Sequence, residues 1–176
     1  EIIHKKNLSN KNIGVEMDSY YYSAECHQRL LKKIPNANFK DATLLVNWVR
    51  LVKSEKEIEY MQQASVLVQE GMRQAFENIK PGARQCDVAA KIQYALLSGN
   101  DQFGGEYSGL TTILASGISA SASHLTPKDK KFIQGEGTII ELSGVKNRYH
   151  CPLSRTVYLG KPDQKTIDTM SITIEV

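Results

Sequence analysis

The chain changes its hydrophobic rhythm along its length. Residues 12–18, Asn-Ile-Gly-Val-Glu-Met-Asp, alternate between apolar and polar and predict a short strand. From Tyr20 to Ile34 the apolar members Tyr22, Cys26, Leu30, Leu31 and Ile34 recur at helical spacing, and Pro35-Asn36 ends the run. Phe39 to Ala42 predicts a second strand. Strand, helix and strand in this order read as the closing portion of an α/β domain whose beginning is expected to be missing.

A break follows at Lys53-Ser54. Ser54 with Glu57 three residues on has the form of a capping box, in which hydroxyl and carboxylate each take a backbone N–H of the other's residue. Ile58, Met61, Ser65, Val68, Met72, Phe76 and Ile79 then recur every three or four residues, a helix of about seven turns that Pro81-Gly82 stops. The methionines on this stripe read as core packing rather than as a ligand groove. A second helix is predicted over 85–98, with Val88, Ile92, Ala95 and Leu96 facing inward. Beyond residue 100 the pattern turns to strands. Residues 103–107 form a glycine-containing loop, 111–115 a strand, and 116–131 a loop of small and charged residues carrying His124. Residues 137–143 are a buried-looking strand with one acid in it, and 148–159 a strand interrupted by Pro152. Two helices followed by antiparallel strands indicate an α+β fold. No internal repeat and no low-complexity segment is present.

Composition narrows the class. The 176 residues are 41% hydrophobic and 23% charged, as in an ordinary folded domain. Twenty-two Lys and Arg against nineteen Asp and Glu leave a net charge of +3, and no basic block is long enough to track nucleic acid. No apolar run is long enough to span a membrane. Cys26, Cys86 and Cys151 are odd in number and far apart, which suggests reduced thiols and a cytoplasmic protein. The chain starts at Glu1 and stops at Val176 within an alternating segment, so it is expected to be part of a longer protein, and its lack of a signal peptide carries little weight.

Glu141 is the first residue with chemistry to offer, because Thr138-Ile139-Ile140 and Leu142 around it call for burial. A carboxylate there must find a partner or stay protonated. Taken alone, a structural acid paired with Arg155 or Arg148 stands ahead of a catalytic one. His124 follows Ser121-Ala122-Ser123, whose small side chains leave its imidazole accessible, although a single loop histidine is most often plain surface. His150 and Cys151 are adjacent in a strand, point to opposite faces, and form no dyad.

These residues fall in an order that resembles a known family. Val49-Arg50-Leu51-Val52-Lys53-Ser54, Glu57-Ile58 and Met61, Pro81-Gly82, Ala115-Ser116-Gly117 with His124, Gly135-Glu136-Gly137 and Ser154-Arg155-Thr156 together resemble the first half of a pita-bread fold. That family includes methionine aminopeptidase, Xaa-Pro aminopeptidase, prolidase and creatinase. The resemblance implies that residues 1–45 close an N-terminal α/β domain and that 46–176 are the first half of an α+β catalytic domain. It also implies that the isolated piece is inactive, since the family's pocket lies between two halves. Peptidases of this family place an aspartate where Glu141 stands and a second 11 residues later, where this chain has Pro152. A two-metal cluster needs bridging carboxylates, so no metal and no cofactor are expected. Creatinase works without metal through the histidine that His124 matches.

Within the family, Gly14-Val15-Glu16-Met17-Asp18-Ser19-Tyr20-Tyr21, Gly104-Gly105-Glu106-Tyr107 and above all the run from Arg148 through His150-Cys151-Pro152-Leu153-Ser154-Arg155-Thr156 to Val157 are similar to the ectoine hydrolase branch. That likeness implies hydrolysis of a cyclic amidine. Glu141 would attack or activate water, His124 would act as general acid or base, and Arg148, Arg155, His150 and Tyr107 would bind the substrate. It further implies a homodimer with a small ectoine-like substrate and no nucleic-acid or membrane partner. The competing readings are a creatinase-like amidinohydrolase, an Xaa-Pro metallopeptidase, and a non-catalytic binding module of the same fold.

Overall fold

A computed structural model describes residues 1–175. Cα proximity divides the chain into two compact units, Glu1–Ser54 and Glu55–Val176. The helix over 45–51 falls within the first of these units.

The first unit contains helix α1 (Ile2–Lys5), strand β1 (Asn12–Val15), helix α2 (Ala24–Lys33), strand β2 (Asn38–Asp41) and helix α3 (Leu45–Leu51). β1 and β2 pair in parallel, Asn12 opposite Asn38 and Val15 opposite Asp41. Parallel neighbours need a crossover, and α2 supplies it. α2 begins later than its apolar spacing predicts. Ser23 is extended, and its hydroxyl accepts the Cys26 N–H at 3.2 Å. That cap starts the helix at Ala24 and leaves Tyr20, Tyr21 and Tyr22 outside it.

The second unit contains α4 (Glu55–Asn78), α5 (Gln85–Ser98), β3 (Ile113–Ser116), a 3₁₀ turn over Gly117–Ser121, β4 (Gly137–Lys146), β5 (Tyr149–Tyr158) and α6 (Gln164–Glu175). α4 starts immediately after Ser54, as an N-cap there requires, and Glu57 accepts a hydrogen bond from the Tyr149 hydroxyl at 2.6 Å. The sheet is antiparallel in the order β3-β4-β5. α4 and α5 cover one of its faces, and the core lies between them: Val68 and Met72 from α4, Ile92 and Leu96 from α5, Ile140 and Leu142 from β4. All four inward residues predicted for α5 are buried. The stripe predicted for α4 is only partly right. Ile58 and Phe76 are exposed, while Ala64, Leu67, Gly71 and Ala75 are buried. Small residues face the sheet because the backbones come close. A Cβ added to Gly144 of β4 would lie 2.0 Å from the Ala64 carbonyl oxygen and 2.7 Å from the Val68 nitrogen.

β4 and β5 form a hairpin closed by Asn147 and Arg148, with Lys146 opposite Tyr149. Both turn residues have positive φ, 47° and 68°, the mark of a type I′ turn, whose twist suits a two-residue loop. Pro152 does not interrupt β5, which runs unbroken from Tyr149 to Tyr158. β5 is an edge of the sheet, where a residue without an N–H is tolerated.

Candidate active site

Alternation along β4 decides where Glu141 goes. Ile140 and Leu142 face the helices and are buried, so Ile139 and Glu141 face the other side of the sheet. In register, Glu141 lies opposite Ser154 of β5 and Ile113 of β3. His124 approaches this face from the loop after the 3₁₀ turn. Its backbone φ is +59°, a left-handed conformation that a non-glycine residue adopts only at a cost. Glu141 and His124 line one cavity of about 380 Å³, walled on the apolar side by Ile113, Ala115 and Ile139. The two predicted catalytic residues are thus brought to the same hollow.

Neither arginine reaches Glu141. The Arg148 guanidinium lies 4.7 Å from the Tyr107 ring centroid and 3.7 Å from Glu106. Arg155 stands opposite Ile140, so its side chain leaves from the other face of β5, where its guanidinium donates to the Ser154 carbonyl at 2.7 Å. Among the described residues the Glu141 carboxylate makes no hydrogen bond and no ion pair. The paired structural acid considered from the sequence is therefore not what the structure contains.

Tyr107, Arg148 and His150 gather at the hairpin turn. Glu106 organises the group: its carboxylate accepts the Asn147 N–H at 2.7 Å and the Arg148 N–H at 3.3 Å, which ties the loop before β3 to the turn. The imidazole of His150 bridges the same elements. Nε2 accepts the Gly109 N–H at 3.2 Å and Nδ1 faces the Arg148 carbonyl at 3.1 Å. A backbone N–H can only donate and a carbonyl can only accept, so Nδ1 carries the proton. His150 lies opposite Val145, on the same face as Glu141 but about 13 Å along the strand at ~3.3 Å per residue. Of the four predicted substrate-binding residues, three cluster at one end of the open face, and Arg155 stands apart from them. Cys151 packs toward the core, on the face opposite His150.

Pro152 lies opposite Ser143, which makes it a diagonal neighbour of Glu141 on the open face. A second carboxylate at that position would bridge a cation with Glu141, and proline has no ligand atom. Among the described residues no group of three or more His, Cys, Asp or Glu is placed to hold an ion. The described residues alone do not supply a two-metal site.

A larger hollow of about 760 Å³ between α4 and α5 offers no comparable chemistry, because its charged groups are already engaged. Glu70 and Glu77 bind Arg73, and Lys91 donates to the Asn78 side chain. Sequence reasoning missed Glu106, whose role depends on a contact across 41 positions, and Ser154, the residue opposite Glu141. The position of Ser154 follows from the hairpin register once the turn is placed at Asn147-Arg148.

Comparison with known proteins agrees with this architecture. The sequence profile of metallopeptidase family M24 matches residues 59–176. The chain is 47% identical over 165 residues to an uncharacterized hydrolase/peptidase, y4tM, of Sinorhizobium fredii, and 42% identical over 168 residues to the ectoine hydrolase of Halomonas elongata. These alignments cover 94% and 93% of this chain and 42% of each relative, so the chain spans less than half the length of either. The prolidase of Pyrococcus horikoshii superposes with a TM-score of 0.81 at 29% identity, covering 98% of this chain and 48% of that one. The fold is α+β, the first half of a pita-bread catalytic domain preceded by the end of an α/β domain. The chain belongs to metallopeptidase family M24.

Proposed function

We propose that the protein is a hydrolase that opens the ring of a cyclic amidine of the ectoine type, giving an N-acetylated 2,4-diaminobutyrate, and that it does so without metal. The observation that carries this reading is the shared cavity of Glu141 and His124. Likeness to an ectoine hydrolase supports the substrate class. The substrate brings its own electrophile, since an amidinium carbon already shares a positive charge between two nitrogens. A metal Lewis acid there is redundant and repels that charge. A carboxylate attracts it.

In the proposed reaction Glu141, which no arginine neutralises, holds the amidinium and either attacks its carbon or removes a proton from the attacking water. In the direct route water adds to the carbon and gives its proton to Glu141; in the covalent route the bond from Glu141 to the carbon forms first and water then breaks it, releasing the carboxylate. In both, one C–N bond breaks and the departing ring nitrogen takes a proton from His124. The carbon that carried both nitrogens ends as an amide, and the released nitrogen as an amine. Arg148, seated on Tyr107 beside Glu106 at the hairpin turn, is too far along the sheet from Glu141 to meet the carboxylate of the same small molecule, so donors for that carboxylate are expected from the rest of the protein. The cytoplasm as working compartment and a homodimer as working state complete the proposal. The free state of Cys26, Cys86 and Cys151 supports the former.

The test is incubation of the complete gene product with ectoine, followed by NMR of the products. Appearance of N-acetyl-diaminobutyrate is expected. Inertness toward ectoine together with Mn²⁺-dependent cleavage of an Xaa-Pro dipeptide would replace this reading with the peptidase one.

A further inference from the structure

His124 lacks a local support. Among the described residues its ring makes no hydrogen bond, its residue is exposed, and its backbone is held at φ +59°. A left-handed non-glycine residue persists where its surroundings over-determine it. The support must come from the ends of its loop.

Both ends meet at one polar node at the base of the sheet. Ser116 and Thr138 are fully buried, and the Thr138 hydroxyl donates to Ser116 Oγ at 3.0 Å. The Ser116 hydroxyl in turn donates to Glu136 Oε2 at 3.3 Å. At the far end of the loop, Lys130 Nζ donates to the Ser116 carbonyl at 3.2 Å. The Glu136 carboxylate fills the space a side chain at residue 117 would need: a Cβ on Gly117 would lie 2.3 Å from Oε1 and 2.7 Å from Oε2. Gly117 is itself left-handed, at φ +59°, and opens the 3₁₀ turn that leads to His124. Glu136 is a firm base for this contact. Its carbonyl accepts the Leu159 N–H at 3.1 Å and its N–H reaches the Ile133 carbonyl, which join it to the root of the β4–β5 hairpin. The hairpin that carries Glu141 therefore also carries the carboxylate that anchors the His124 loop.

We propose that Glu136 is a positioning residue for His124, acting through Ser116 and Gly117 to hold the 117–130 loop against the sheet that presents Glu141. This rests on the proposed hydrolysis, in which His124 delivers a proton. Glu136 touches neither substrate nor imidazole. Its removal should affect the chemical step and spare binding.

The experiment compares wild type, Glu136→Ala and Glu136→Gln of the complete gene product, with hydrogen exchange and ectoine kinetics measured on the same samples. Glu136→Ala is expected to speed exchange within residues 117–131 while β4 and β5 stay protected. Its kcat should fall roughly 10–100-fold, as a misplacement of ~1 Å can cause, with KM little changed. Glu136→Gln keeps an oxygen for the Ser116 hydroxyl and should recover most of the kcat. Unchanged loop exchange in Glu136→Ala overturns the proposal. So does faster exchange with normal kcat, or a Gln variant as impaired as Ala. A wild type inert toward ectoine defeats the proposed reaction instead, and the exchange comparison still decides whether Glu136 holds the loop.

Discussion

Among the described residues the Glu141 carboxylate has no cation beside it and opens into a cavity walled by Ile113, Ala115 and Ile139. In the proposed reaction a cationic substrate completes the pairing. Glu141→Gln removes the charge and keeps the shape of the side chain, so it should leave melting temperature nearly unchanged and abolish nearly all turnover. Glu141→Asp should lose about 100-fold, since withdrawing the reacting oxygen by one methylene is a displacement of ~1 Å. His124→Ala should lower kcat by about 10²–10⁴-fold, the range for a lost general acid or base, with a smaller effect on KM. Turnover and thermal unfolding measured on the same samples decide the point. A folded Glu141→Gln protein that turns over normally would remove the central residue of the mechanism. The sequence brings Glu141 to notice by its apolar neighbours and His124 by its small ones. It does not show that Arg155 leaves from the other face of β5, because that depends on register: Arg155 lies opposite Ile140, and Ser154 opposite Glu141.

Among the elements, α5 was legible because its inward residues Val88, Ile92, Ala95 and Leu96 are large or flanked by large ones and follow one stripe. α4 was less so, because half of its buried face is made of Ala64, Gly71 and Ala75, which carry little hydrophobic signal. What selects them is the approach of β4. Gly144→Ala would drive a Cβ against the Ala64 carbonyl oxygen and the Val68 nitrogen, both backbone atoms of a packed helix that cannot rotate aside. Overpacking of this kind costs about 1–3 kcal/mol or more, and denaturant unfolding of the complete gene product should show a loss of at least that size. An unchanged midpoint would mean that helix and strand separate freely. α6 was missed because its later residues, Ser-Ile-Thr-Ile-Glu, alternate as a strand would. A local cap favours the helix: the Asp163 carboxylate accepts the Thr166 N–H at 2.8 Å. Thr166, through its side chain first and its backbone second, holds the Asp163 carboxyl below its ordinary value. A carboxylate whose folded pKa is depressed contributes stability above its unfolded value of ~3.9 and loses it as pH falls through the folded value. Asp163→Ala should therefore speed hydrogen exchange in α6 at neutral pH and make no difference once acid has protonated the carboxylate in both states. Equal protection of the two proteins at neutral pH would show that the cap contributes nothing.

On the scale of the molecule, the sheet has one face covered by α4 and α5 and another that presents Glu141, Ser154, Pro152 and His150 in a line. The pita-bread architecture was legible from the order of its motifs, which survive as turns, caps and strand starts. The chemistry of the open face was not, because it depends on which side chains the hairpin register sets opposite one another. That register gives Pro152 its importance. It occupies one of the two positions on β5 diagonal to Glu141, the other being that of Thr156, and it brings no donor atom. Neither Pro152, Ser154 nor Thr156 gives Glu141 a second carboxylate from β5. If the proposed reaction is right, its rate depends on a carboxylate and an imidazole alone. Activity of the complete gene product toward ectoine should then survive prolonged treatment with a strong chelator, and added Mn²⁺ or Co²⁺ should not raise it. Restoring the carboxylate with Pro152→Asp should fail to produce metal-stimulated ectoine hydrolysis, because a cation beside Glu141 would repel the amidinium it is meant to hold. Loss of turnover in chelator, with recovery on adding either metal, would show that ligands from the remainder of the protein compensate for Pro152 and that the metal-free mechanism is wrong.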